Sequence, residues 1–182
     1  MPLLSLFRHA KSSWSDPRLS DFDRPLAPRG RKAAPRMAAY MARAETVPDL
    51  IVCSTAVRAR ETLERALPKM GKAPDILYEE ALYHAGPAKL LRRINRMPEG
   101  CAHAMLIGHN PGMHSLVLDL VGSGDPDLIE AMAHKFPTAA LAVIAFDDPW
   151  PGIGPGRGRL VRYMAPKRLP DKAAADKDVD AA

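Results

Sequence analysis

The stretch Leu3–Ala10, LLSLFRHA, decides how the rest of the chain reads. A short apolar run of this kind is the mark of a strand covered on both faces, yet it stops at Arg8 and His9 instead of at an ordinary turn. Leu50–Cys53, Ala104–Ile107 and Ala139–Phe146 are similar runs, and Leu160–Met164 is a last candidate after the turn-rich DDPWPGIGPGRG. Between them, Gly30–Arg43, Val57–Met70, Pro87–Arg96 and Met113–Val121 carry apolar residues at helical spacing, with proline or glycine near their ends. Strands separated by helix-length segments are βαβ units. The expected fold is therefore α/β, a three-layer α/β/α sandwich around a mostly parallel central sheet. Residues 1–164 should form one domain, and residues 165–182, poor in large apolar groups, should form a flexible C-terminal tail.

A chain of 182 residues can bury a core without covalent staples, and its two cysteines, Cys53 and Cys101, lie in or beside apolar runs with no disulfide framework. A reducing cytoplasm is the expected location. The opening MPLLSLF lacks the basic flank of a signal peptide, and no apolar run approaches the roughly 20 residues of a membrane span. Basic residues outnumber acidic ones 26 to 21, a net charge of +5 that favours anionic partners. Nucleic acid is not expected among them, because the most basic stretch, RPLAPRGRKAAPR, holds no aromatic residue on which a base could stack. His84, His103, His114 and His134 show no metal-ligand spacing, and GIGPGRG leads toward a strand and not a helix, so neither a metal nor a nucleotide cofactor is expected.

In parallel sheets, ligands bind beyond the carboxyl ends of the strands. Three such exits carry chemistry: RHA after the first strand, STAVRARET after the second and GHNPG after a later one. They supply Arg8, His9, Arg58 and His109. Two guanidinium forks match the oxygens of a phosphoryl group, and an imidazole nitrogen is a competent nucleophile near neutral pH. Arg58 falls near a helix N-terminus, where the macrodipole disfavours a cation unless an anion is bound. Ser54 in the same turn reads as an N-cap, while Gly108 and Pro111 make a sharp corner around His109.

The order RHA, RPLAPRGRKAA, STAVRARET and GHNPG resembles the histidine phosphatase superfamily, the phosphoglycerate mutase-like proteins, and within it the small branch typified by the bacterial phosphohistidine phosphatase SixA. The resemblance covers residues 3 to 147. It implies the phosphoglycerate mutase-like fold, with His9 phosphorylated in the reaction and Arg8, Arg58 and His109 holding the phosphoryl oxygens. Ala10 stands where the family's first motif usually has glycine, and Ser15 stands at a phosphate-contacting position that is often asparagine. For the proton donor, Glu79 and Glu80 are the nearest candidates, with Glu80 taken as the acid; Asp16 and Asp21 are the alternatives. Each of these glutamates is equally well read as a solvated carboxylate before a helix. The resulting expectation is a metal-independent phosphatase acting on phosphohistidine in a protein or on a small phosphomonoester. The alternative is a noncatalytic phosphate-recognition module that docks a phosphorylated partner.

Overall fold

The computed structural model describes residues 1–170. In chain order the elements are β1 (Leu3–Arg8), α1 (Pro28–Arg43), β2 (Leu50–Ser54), α2 (Val57–Ala66), β3 (Asp75–Glu79), α3 (Pro87–Ile94) and β4 (His103–Gly108). They continue as α4 (Gly112–Leu120), β5 (Val121–Gly124), α5 (Pro126–His134), β6 (Leu141–Ala145) and β7 (Gly158–Met164). The seven strands form one sheet in the order β3-β2-β4-β1-β6-β7-β5. β3, β2, β4 and β1 run parallel, β6 is antiparallel to both of its neighbours, and β5 is parallel to β7.

Side-chain alternation explains why the central strands are apolar throughout, since each face needs its own cover. Leu4, Leu6, Val52, Leu106 and Ile144 pack with Leu90 and Ile94 of α3 and with Leu116 and Leu120 of α4. Phe7, Ile51, Cys53, Met105 and Ile107 face the other way, toward Met37 and Met41 of α1 and Leu63 of α2. Helices on both faces give the expected three layers. Each large side chain so buried stabilises the sheet by roughly 1.5–3 kcal/mol relative to exposure.

Three local departures have physical causes. The helix expected over Val57–Met70 stops at Ala66 and tightens into a 3-10 turn over Leu67–Lys69, because Pro68 has no amide hydrogen to continue the α-helical ladder. Neither α5 nor β5 stands out from hydrophobic pattern. α5 begins on Asp125, whose side chain accepts hydrogen bonds from the amides of Asp127 (2.9 Å) and Leu128 (3.2 Å), with Pro126 at the first helical position. β5, VGSG, has almost no apolar content and exists by pairing with β7 at the sheet edge. Finally, the chain does not leave the domain at Ala165: Ala165 and Leu169 are both buried, and Leu169 packs in the cluster beneath α1. The remainder of the expected tail, residues 171–182, lies outside the described residues.

Two glycines fix loops next to the strand ends. A Cβ on Gly30, in the first turn of α1, would lie 2.2 Å from the carbonyl oxygen of Lys11, so only glycine lets α1 rest directly on the chain that follows His9. A Cβ on Gly112 would lie 1.9 Å from the carbonyl oxygen of Ala85, which seats α4 against the loop ahead of α3.

Candidate active site

Strand register assembles the cluster. Arg8 lies opposite Gly108 in the β1–β4 pair, so His9 and His109 leave adjacent strands side by side, their ring centroids 5.0 Å apart. Cys53 pairs with Ile107 in the β2–β4 pair, which carries Ser54 to His109; the Oγ of Ser54 is 2.8 Å from His109 Nε2. Arg58 follows at the start of α2, and its Nε donates to His9 Nε2 at 3.3 Å. Thr62, one turn further on, accepts from the Ala10 amide at 2.9 Å and donates to the Arg58 carbonyl at 2.6 Å, tying α2 to the loop after β1. Arg8 donates through Nη1 to the Phe136 carbonyl at 2.9 Å.

His9 is held in one tautomer. Its Nδ1 lies 2.7 Å from the Ala10 carbonyl, an acceptor only, so Nδ1 carries the hydrogen and the lone pair is left on Nε2, where Arg58 points. Burial, with further contributions from His109, Arg58 and Arg8, pushes the His9 pKa well below its ordinary value, against an opposing effect of the Ala10 hydrogen bond. The resting ring is neutral and nucleophilic. His109 is likewise lowered, to about 3, by burial and then by Arg58 and its other neighbours. Arg8 is also lowered, by burial and by Arg58. Arg8 Nε and His109 Nδ1 are buried with no hydrogen-bond partner among the described residues. Buried polar atoms left without partners at a cationic cluster are what an anion with several oxygens would satisfy.

Asp21 is the hub of the outer part of the cluster. Its Oδ2 accepts from Arg58 Nη2 at 2.9 Å and from the Tyr83 hydroxyl at 2.8 Å, and lies 3.5 Å from His84 Nε2; its Oδ1 is 3.1 Å from Arg24 Nη2. Burial alone would raise its pKa, but Tyr83, Arg58 and Arg24 outweigh this and hold the carboxyl down to about 2. Arg24 in turn lies flat over Trp14, 3.3 Å from the ring centroid. Tyr83 stands edge-on to both Phe22 and His109.

The structure thus brings Arg8, His9, Arg58 and His109 together and adds members that sequence reasoning passed over. Tyr83 and Arg24 gave no signal, lying in irregular segments, and Asp21 ranked behind Glu79 and Glu80. Ser54 is not the N-cap: α2 starts at Val57, the cap position is Ala56 with no side-chain cap, and the Ser54 hydroxyl, which reaches the Ala56 amide only at 3.4 Å, bonds His109 at 2.8 Å. Ser15 is exposed and hydrogen-bonds Ser13 at 2.8 Å, with no bond to the cluster. Asp16 pairs with Arg18 on the surface. Glu79 is clamped by Arg93 Nε at 2.8 and 2.9 Å, and Glu80 is exposed with no hydrogen bond from its carboxylate among the described residues. No group of three or more His, Cys, Asp or Glu among the described residues is arranged to hold a metal ion.

The family model of the histidine phosphatase superfamily (branch 1) matches residues 4–83. An uncharacterized protein of Mycobacterium tuberculosis is 35% identical over 162 residues, spanning 88% of this chain and 99% of that protein. A structure from Agrobacterium tumefaciens assigned to the phosphohistidine phosphatase SixA superposes with a TM-score of 0.77 at 33% identity, covering 91% of this chain and 99% of that one. A second structure assigned to SixA, from Nakamurella multipartitia, gives a TM-score of 0.77 at 26% identity, covering 91% and 96%.

Proposed function

The chain belongs to the histidine phosphatase superfamily, and on that premise we propose that it hydrolyses phosphohistidine displayed on another protein, through a phosphorylated His9. The observation that carries this reading is the fixed His9 tautomer, with a neutral Nε2 facing Arg58 and the Arg8 guanidinium also close enough to act on it. The Nε2 lone pair attacks phosphorus in line, the bond from phosphorus to the leaving nitrogen breaks, and that nitrogen keeps the electron pair. Arg8, Arg58 and His109 hold the oxygens as negative charge shifts onto them. Water then attacks the phosphorylated His9, releasing phosphate and restoring Nε2.

The choice of a P–N substrate rests on protons. A leaving alkoxide needs a general acid, which typically contributes about 100- to 10,000-fold. The carboxylate in the cluster is Asp21, and with a pKa of about 2 it holds no proton to give. A phosphohistidine ring that carries a proton on its other nitrogen departs as neutral imidazole with no proton delivered to the breaking bond, so this site suits it better than an ester. A small phosphomonoester is the second substrate class. The two free cysteines, one of them buried, fit a reducing cytoplasm. Among the described residues no helix is long and apolar enough to cross a membrane.

The test compares phosphoramidate, a phosphohistidine peptide and an aryl phosphate, each with and without a chelator, against wild type and His9→Ala. Expected is turnover indifferent to chelation and at least about a thousandfold lower in the variant, with acid-labile labelling confined to His9. Binding of the phosphopeptide without turnover in wild type would instead identify a phosphate-recognition module, and full activity in His9→Ala would overturn the assignment of the nucleophile.

A further inference from the structure

A groove beside the cluster has no part in the chemistry described so far. Its walls are the exposed side of α1 and the segment around Thr138 and Pro166, and it encloses about 520 Å³. Lys11, Arg29, Lys32, Arg36 and Lys167 line it. A second hollow of about 350 Å³ shares Arg29, Thr138 and Lys167 with the first and adds Lys135 and Arg168. Among the described residues no aspartate or glutamate lines either hollow, and none of these cations forms a salt bridge. For a chain whose net charge is only +5, this is a concentrated positive field.

The groove is joined to the active site through the backbone. Lys11 is two residues beyond His9, and its carbonyl accepts from the Ala27 amide at 2.8 Å beneath the bare face of Gly30. On the other wall, Thr138 precedes Ala139, whose amide donates to the carbonyls of both Arg8 and His9 at 3.1 Å. The backbone on both sides of the groove is thus bonded to His9 or lies within two residues of it.

We propose that this groove docks an acidic segment of the phosphorylated protein, next to the residue being dephosphorylated; the proposal rests on the protein-phosphatase reading above. Pro28, Ala33 and Pro166 give the groove an apolar floor between its cations, which suits the stems of a peptide. Among the described residues no aromatic lines the groove, and Tyr163, which lines the second hollow, is buried, so bases have no exposed ring on which to stack, and a polypeptide fits better than single-stranded nucleic acid. Because the charges are exposed, their effect falls on encounter and KM and is screened by salt.

Two phosphohistidine peptides test this, one with aspartates and glutamates about three to eight residues from the phosphohistidine, a reach of roughly 10–25 Å in extended chain, the other with serines there. Phosphoramidate serves as the substrate too small to reach the groove. Expected is a KM about tenfold lower for the acidic peptide at 50 mM salt, a preference that fades at 500 mM and is lost in Lys32→Glu/Arg36→Glu and, on the opposite wall, in Lys167→Glu, while phosphoramidate turnover is unchanged. Equal KM for both peptides in wild type, or an undiminished preference in both variants, overturns the proposal. Inhibition by a 20-mer oligodeoxynucleotide at lower concentration than by the unphosphorylated acidic peptide overturns the assignment to a polypeptide. Should no substrate be turned over, the phosphatase reading fails by itself, and fluorescence anisotropy of the labelled acidic peptide still decides the groove: salt-sensitive binding lost in the variants supports it, and binding equal to that of the serine peptide refutes it.

Discussion

Replacing Asp21 by asparagine separates two roles for the carboxylate nearest the nucleophile. In the structure Asp21 positions Arg58, which is 4% exposed and would otherwise have no carboxylate partner. Hydrogen bonds between charged groups contribute about 1.5–3 kcal/mol each, and the 40% exposure of Asp21 lets water take back part of that. A net loss of about 1–3 kcal/mol in the alignment of Arg58 corresponds to a fall in kcat/KM of roughly 5- to 150-fold. If Asp21 only positions, Asp21→Asn slows phosphohistidine peptide and aryl phosphate by the same factor. The wild-type pH profile should then show no limb from Asp21 above about pH 3, because its carboxyl, held at about 2, stays ionised throughout. Steady-state kinetics on both substrates between pH 4 and 9 reads out each point. A loss confined to the aryl phosphate, together with disappearance of a basic limb, would show that Asp21 delivers a proton and would remove the argument for a P–N substrate.

Other perturbations follow from the same contacts. Ser54→Ala leaves the buried His109 Nε2 without its 2.8 Å partner, a loss of about 1–3 kcal/mol that should lower the melting temperature by roughly 2–12 °C, and kcat on phosphoramidate should fall about tenfold. Gly30→Ala forces a methyl against the Lys11 carbonyl; a loss of about 1–3 kcal/mol should lower the melting temperature by roughly 2–12 °C and reduce turnover through the displaced His9 loop. His103, buried and bonded to Ser5 at 2.8 Å, is lowered to about 4, chiefly by burial. Between pH 4 and 6.5 the unfolded chain binds the proton that folded His103 refuses, so stability is complete above about pH 6.5 and declines toward pH 4, by on the order of 3 kcal/mol from this residue. His9 and His109 act in the same direction, so His103→Gln should reduce, not abolish, the difference between urea midpoints at pH 7.5 and 5.

Local pattern made part of this protein legible. LLSLF, LIVC and AMLI announce central strands because burial on both faces leaves no polar alternation, and the residues just beyond them gather in one place because parallel strands end at one edge. α5 was hidden for the opposite reason: its Asp-Pro start is a local cue, but only Met132 of its residues is fully buried, so its apolar stripe is thin. Ser54 shows how a local rule misleads. A serine before a helix satisfies the N-cap pattern, yet its hydroxyl reaches a local amide, that of Ala56, only at 3.4 Å, and its shorter bond is to His109, 55 residues away.

What the sequence determined by itself was the layered α/β architecture and the place of Arg8, His9, Arg58 and His109 just beyond strand ends, since hydrophobic runs and the residues that end them are properties of neighbours in the chain. Only tertiary structure decided which carboxylate joins them. Glu79 is occupied by Arg93, Glu80 stands in water, and Asp21, in a loop with no periodicity, is held ionised by Arg58 and by Tyr83, 62 residues away. A carboxylate's charge and role depend on dielectric and on partners within a few ångströms, and folding chooses those partners without regard to their separation along the chain.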